Sequence, residues 1–141
     1  VYAPALRLNI KTFDSILLHV LAPFVRWLPK KNLDSNTLWQ GYTVNPLKGV
    51  LQLINLQKKV YPHLPEVTQP VLIIQGKLDT TVHPEVPNLI FDQVGSKIKE
   101  KYWMEKSQHC VILDQEFDQV TEITHLFLDK VLSTKTIKEP V

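Results

Sequence analysis

The chain has 141 residues, 44% of them hydrophobic and 21% charged, the profile of one ordinary globular domain with enough apolar material for a real core. Its net charge is only +2, and its lysines (Lys30-Lys31, Lys58-Lys59, Lys97–Lys101) interleave with apolar or acidic residues, which excludes the concentrated basic face that nucleic acid or an acidic surface selects. A single cysteine, Cys110, excludes an intrachain disulfide and a cysteine-based metal site, and no apolar run approaches the roughly 20 residues of a membrane span.

Lone-cysteine usage fits a reducing compartment, so a cytoplasmic location is expected. The opening Val1-Tyr2-Ala3-Pro4 lacks the basic-then-apolar order of a signal peptide. With Met104 as its only methionine, the chain reads as part of something longer.

Val1–Leu8 is short and apolar and reads as the end of a strand leading into a loop. Thr12–Leu28 is the first helical stretch: Phe13, Ile16, Leu17, Val20, Leu21, Phe24 and Leu28 recur at helical steps and form one apolar stripe. Pro23 inside it predicts a kink or two short helices, because an interior proline costs about 3 kcal/mol and a hydrogen bond. Thr12 or Asp14 is available as a cap. Pro29–Asn45 is polar and irregular, yet carries Trp39 and Tyr42, which are expected to be buried. Asn45-Pro46 then opens a helix, with proline in its first turn, running about four turns to Lys58 or Val60, where Pro62 and Pro65 end it.

Pro70–Gln75 is a continuous apolar run, β-branched at Val71, Ile73 and Ile74, as a strand buried on both faces requires. Pro84–Val94 is helical, with both prolines near its first turn. Ile98–Met104 is a second strand. Asp114–Leu132 is the clearest helix, with Asp114 as cap and Phe117, Val120, Ile123, Phe127 and Val131 as its buried face. Ser133–Val141 is a polar tail. The order strand–helix–strand–helix is a βαβα unit, so the fold class is α/β with parallel strands. So few parallel strands leave backbone groups unpaired at about 1–3 kcal/mol each. A missing N-terminal half, a second chain or a homodimer is therefore expected to complete the sheet.

Reactive groups of parallel sheets sit in loops at the carboxyl ends of the strands. Two residues fall there: Asp79 after the first strand, and His109 after the second, thirty residues further on. A carboxylate that accepts a histidine Nδ1–H fixes the ring's tautomer and leaves Nε2 toward a nucleophile. From spacing alone, a surface aspartate and a surface histidine are the plainer reading. Asp92, on the crossover helix, and Asp114, better used as a cap, are the alternative acids. Cys110 is adjacent to His109, but neighbouring side chains diverge, so it is read as a small buried residue. His83 stands at a helix start, and His19, His63 and His125 lack ligand-spaced neighbours, so no metal or cofactor is expected.

The stretch Gln69-Pro70-Val71-Leu72-Ile73-Ile74-Gln75-Gly76-Lys77-Leu78-Asp79, then Val82 and Pro84, then Ser107-Gln108-His109 and a closing amphipathic helix, resembles the C-terminal half of α/β-hydrolases, above all the bacterial carboxylesterase and monoacylglycerol-lipase branch. The resemblance covers Pro65–Leu132 well and Val1–Leu64 only loosely. It implies that residues 1–64 hold the end of a core strand plus a helical cap or lid, that 65–132 form the last βαβα unit, and that 133–141 are a tail. It implies Asp79 as triad acid, His109 as general base, and a small-molecule ester as substrate. There are two departures. Gln108 replaces the family's glycine before the histidine, where a need for positive φ or close approach would strain it. No Gly-x-Ser-x-Gly elbow surrounds Ser15, Ser35, Ser96, Ser107 or Ser133, so the chain alone is expected to be inactive toward esters. If the Thr12–Leu28 stripe with Trp27 and Trp39 is a lid, the pocket favours acyl chains; otherwise the stripe packs on the sheet. The alternatives are a non-catalytic remnant and a small flavodoxin-like binding module. With only Gly41, Gly49, Gly76 and Gly95, the chain has no glycine-rich phosphate loop to support the latter.

Overall fold

In a computed structural model, which describes residues 1–30 and 42–136, the elements run α1 (Thr12–Leu21), β1 (Trp27–Pro29), β2 (Val44–Pro46), α2 (Leu47–Val60), a 3-10 turn (Tyr61–Glu66), β3 (Val71–Gly76), α3 (Val86–Gln93), β4 (Lys99–Met104), a second 3-10 turn (Val111–Leu113) and α4 (Phe117–Thr136). The expectation for Trp39, and most of that for the polar tail, fall outside the described residues; the last helix runs on to Thr136.

β3 organises the molecule. It pairs in parallel with β4, from Val71 opposite Lys99 to Gly76 opposite Met104. On its other side Tyr2 bridges Ile74 in parallel, with Ala3 N donating to Ile74 O at 2.8 Å and Ile74 N to Val1 O at 3.0 Å. The N-terminal backbone thus runs beside β3 through an isolated bridge, on the side away from β4, and β3 lies in the middle. Strand side chains alternate between faces, so β3 feeds two cores. Ile73 packs with Leu64, Val82, Val86, Ile90 and Val94 under α3. Leu72 and Ile74 pack with Met104, Val111, Val120 and Phe127 under α4. A strand covered on both faces has no polar face to offer, which is why its sequence is an unbroken apolar run. Each such side chain contributes about 1.5–3 kcal/mol by leaving water.

The N-terminal half departs from expectation in several places. α1 stops at Leu21, with Ala22 as its C-cap, so Pro23 acts as a terminator. Its missing N–H and its ring would break the next turn, and Phe24 N and Val25 N fold back instead onto Leu21 O. The chain then forms β1, paired antiparallel with β2 from Trp27 opposite Pro46 to Pro29 opposite Val44. Three-residue strands with a proline in each carry almost no periodic signal, so Trp27 and Leu28 read as the end of the helical stretch and Asn45-Pro46 as a helix start. Lys11 holds the N-cap position of α1 with no side-chain hydrogen bond, Asp14 lies inside the first turn, and the expectation for the Thr12 side chain falls outside the described residues. Asn45 belongs to β2, and Pro46 is the N-cap of α2. Tyr42 is exposed, as are Phe13, Ile16, Val20 and Phe24 of the stripe, so this stripe does not pack on the sheet. Asp114 does not cap α4 through its carboxylate, which instead accepts the amides of Gln108 and Gln115 at 2.7 and 2.8 Å.

Candidate active site

Parallel pairing of β3 with β4 brings the loops that follow them side by side, and Asp79 and His109 meet there. Asp79 Oδ2 lies 2.9 Å from His109 Nδ1; the aspartate side chain is 2% exposed and the imidazole 31%. Because a carboxylate only accepts, the contact makes Nδ1 the protonated ring nitrogen of the neutral histidine.

Asp79 is held from every side. Oδ1 accepts Thr81 N at 2.7 Å and Val82 N at 3.0 Å, a turn closed by the aspartate's own side chain. Oδ2 also accepts Gln75 Nε2 at 2.7 Å. Burial alone would raise the Asp79 carboxyl; the hydrogen bond and positive charge of His109 and the amides of Val82 and Thr81 outweigh it, and the group ionises below the ordinary aspartate range. Sequence reading missed Gln75. Its signal was present: a polar residue ending a buried apolar strand must find a partner. The side chain is 1% exposed, and its Oε1 has no partner among the described residues, so Asp79 alone sets the orientation of the amide.

Two further supports were not readable from spacing. The segment after the N-terminal strand end grips the acid loop: Asn9 N donates to Thr81 O at 2.8 Å, and His83 N to Arg7 O at 2.9 Å. On the histidine side, Gly76 sits against the next loop so closely that an added Cβ would lie 2.2 Å from Ser107 O and 2.3 Å from Gln108 O. The glycine of Gly-x-x-Asp is thus required by close approach, with no positive φ involved. Among the described residues only Ala3 is a non-glycine with positive φ, so Gln108 is not held in the left-handed backbone that its replacement of a glycine put in question.

The remaining candidates separate from the pair. Asp92 is exposed on α3, and Asp114 binds loop amides. His83 accepts Glu85 N at the start of α3, His19 contacts Ser15 O within α1, and His63 pairs with Glu66. Cys110 is half-buried. Ser107 is fully buried and donates to Glu116, and Ser96 donates to Ile98 O. Among the described residues no group of three or more His, Cys, Asp or Glu is gathered as a metal would need, and no helix is long and apolar enough to cross a membrane. Beside Thr80, one residue from the acid, lies a cavity of about 550 Å³ lined largely by Leu17, Leu18, Leu21, Leu28, Leu47 and Val50.

The surroundings of this pair can be set beside known proteins. A family model described as serine aminopeptidase, S33, matches residues 30–116. Over 88 residues, 62% of this chain and 35% of the relative, the sequence is 30% identical to a carboxylesterase of Bacillus subtilis (strain 168). A structure from the metagenome-derived lipolytic enzymes LipS and LipT superposes with a TM-score of 0.77 at 31% identity, over 92% of this chain and 53% of that one. The monoacylglycerol lipase of Paleococcus ferrophilus gives 0.67 at 19% identity, over 94% of this chain and 57% of that one. A soluble variant of the Saccharomyces cerevisiae monoglyceride lipase gives 0.67 at 18%, over 91% and 54%. These last two speak to the fold alone. The chain spans about half the length of the solved structures and about a third of the carboxylesterase. Matched over more than half of its residues, and built as a small parallel sheet between helices, the chain belongs to the serine aminopeptidase S33 family of α/β-hydrolases.

Proposed function

We propose that this chain supplies the acid and the base of a serine carboxylic-ester hydrolase whose nucleophile lies on polypeptide that the chain does not contain. The observation that carries the reading is the 2.9 Å contact between buried Asp79 and His109 at the carboxyl ends of adjacent parallel strands. In the complete enzyme, His109 Nε2 takes the serine proton as the hydroxyl attacks the ester carbonyl. Asp79 stabilises the imidazolium, and the ring returns the proton to the leaving alcohol. Water then hydrolyses the acyl-enzyme with His109 again as base. Residues 1–64 serve as the end of a core strand plus a cap, and residues 65–132 as the last βαβα unit. The leucine-lined cavity beside Thr80 favours an apolar acyl group, and the carboxylesterase and lipolytic relatives favour an ester over a peptide. A further segment, contributed by a longer polypeptide or a second chain, completes the sheet, and the assembly works in the cytoplasm.

The purified chain is expected to hydrolyse p-nitrophenyl esters at background rate. Turnover that disappears with His109→Ala would overturn the assignment of the nucleophile elsewhere. The coding sequence upstream of Val1 is expected to contain an in-frame Gly-x-Ser-x-Gly; a start codon directly at Val1 would favour a catalytically silent protein.

A further inference from the structure

The loop that delivers His109 has almost no apolar anchoring of its own between Met104 and Val111, yet its backbone amides are taken up one after another. Glu116, one residue before α4, accepts Glu105 N at 3.1 Å, Lys106 N at 2.8 Å and Ser107 Oγ at 2.6 Å. Asp114 Oδ2 accepts the amide after Ser107, Gln108 N, at 2.7 Å. Ser107 is fully buried, and its carbonyl presses on Gly76 and accepts Leu78 N at 3.1 Å. The four residues before the histidine are therefore held by two carboxylates on one side and by the end of β3 on the other.

From this geometry we infer that Glu116 is the positioning residue of His109: it acts through the 105–107 backbone to keep the imidazole within reach of Asp79. The inference rests on the Asp79–His109 reading above. Hydrogen bonds to an ionised acceptor are about twice as strong as neutral ones, so one carboxylate holding three donors does what an apolar anchor does elsewhere. Glutamine keeps the size of Glu116 but replaces one acceptor oxygen with a donor, which must then face an amide or the buried hydroxyl. The loop should slacken without unfolding the sheet. A ring released from Asp79 exchanges its proton between both nitrogens, whereas a ring held against the carboxylate stays protonated at Nδ1.

Imidazole ¹⁵N NMR on this chain reads that difference directly, with His109 assigned by its loss in His109→Ala. Wild type is expected to show His109 as a single Nδ1–H tautomer. Glu116→Gln should reduce that population by about half or more, with circular dichroism and the signals of His19, His63, His83 and His125 unchanged. Ser107→Ala, which removes one of the three donors, should move it in the same direction by less, and it decides the matter should Glu116→Gln fail to fold. Glu105→Gln, which disturbs only an exposed pair with Lys77, should leave it alone. If folded Glu116→Gln, or folded Ser107→Ala in its place, keeps the wild-type tautomer while Asp79→Asn disperses it, the positioning role is overturned and the Asp79–His109 pair stands. If Asp79→Asn also leaves the tautomer unmoved, the pair itself is overturned.

Discussion

Asp79 accepts four hydrogen bonds, from His109, Gln75, Thr81 and Val82, and this saturation makes its charge state a stability term. Its carboxyl and that of Glu116 both ionise below their ordinary ranges: burial pushes each up, and the donors around each more than compensate. Groups depressed by folding contribute stability that is fully present above the unfolded pKa and is lost as pH falls through the folded one. Over that interval the unfolded chain holds more protons, so stability rises with pH. Urea midpoints are therefore expected to hold near neutrality and to fall steadily from about pH 5 downward, through the ordinary carboxylate range. Asp79→Asn should flatten that fall. It should also lower stability at pH 7 by about 1–3 kcal/mol, since an amide NH₂ would face the donors of Gln75 and His109. A pH profile identical in the variant would show that folding does not lower the ionisation range of the Asp79 carboxyl.

Among the elements, β3 and α1 look alike as apolar stretches and differ in what covers them. Ile73 and Ile74 are fully buried between α3 and α4, whereas Phe24 just beyond α1 is 85% exposed and Phe13 73%. Ile73→Ala is expected to destabilise the chain by about 2–5 kcal/mol, the range for truncating a buried aliphatic side chain with partial collapse of the cavity. Phe24→Ser should stay within about 0.5 kcal/mol of wild type, as surface substitutions do. Equal losses in chemical denaturation would mean that the α1 stripe is covered in solution. The opposite edge of the sheet is guarded: Lys99, Glu100 and Lys101 line β4, Glu100 pairs with Lys130 of α4 at 2.5 Å, and Lys99 and Lys101 lie over the Phe91 ring. Charge on an edge strand discourages pairing with another chain.

As a whole the molecule has a two-sided core around three adjacent backbone segments and a good deal of apolar surface outside it. Leu56, Val60 and Val1 are exposed beside an almost wholly apolar hollow of about 300 Å³, shared with Leu53, Val67 and Val71. Monomeric proteins rarely leave extended patches of this kind uncovered. The isolated chain is expected to enhance ANS fluorescence while keeping a cooperative unfolding transition, and to associate as its concentration rises in sedimentation velocity. A dye-silent monomer at all concentrations would mean that these surfaces are already closed.

The sequence by itself was enough for the α/β class, the βαβα order, the run of β3 and the long final helix, and it put Asp79 and His109 in the loops after adjacent strands, where spacing alone left them as surface residues and only the family resemblance paired them. Each of these is written in a periodicity, a proline or a motif whose physical requirement is local, or is fixed by parallel strand order. What only the tertiary structure decided lies between segments distant along the chain. The β1–β2 pair is too short to carry a pattern. The α1 stripe has helical spacing, yet Phe13, Ile16, Val20 and Phe24 stay exposed among the described residues, because periodicity records a capacity for packing and says nothing about whether a partner is present. Gly76 is needed because the backbone of residues 107 and 108 crosses it, Gln75 matters because of an acceptor 4 residues on, and Glu116 because of donors 9 to 11 residues back. A side chain's hydrogen-bond capacity is visible in a sequence, but its partner is set by where the folded chain returns.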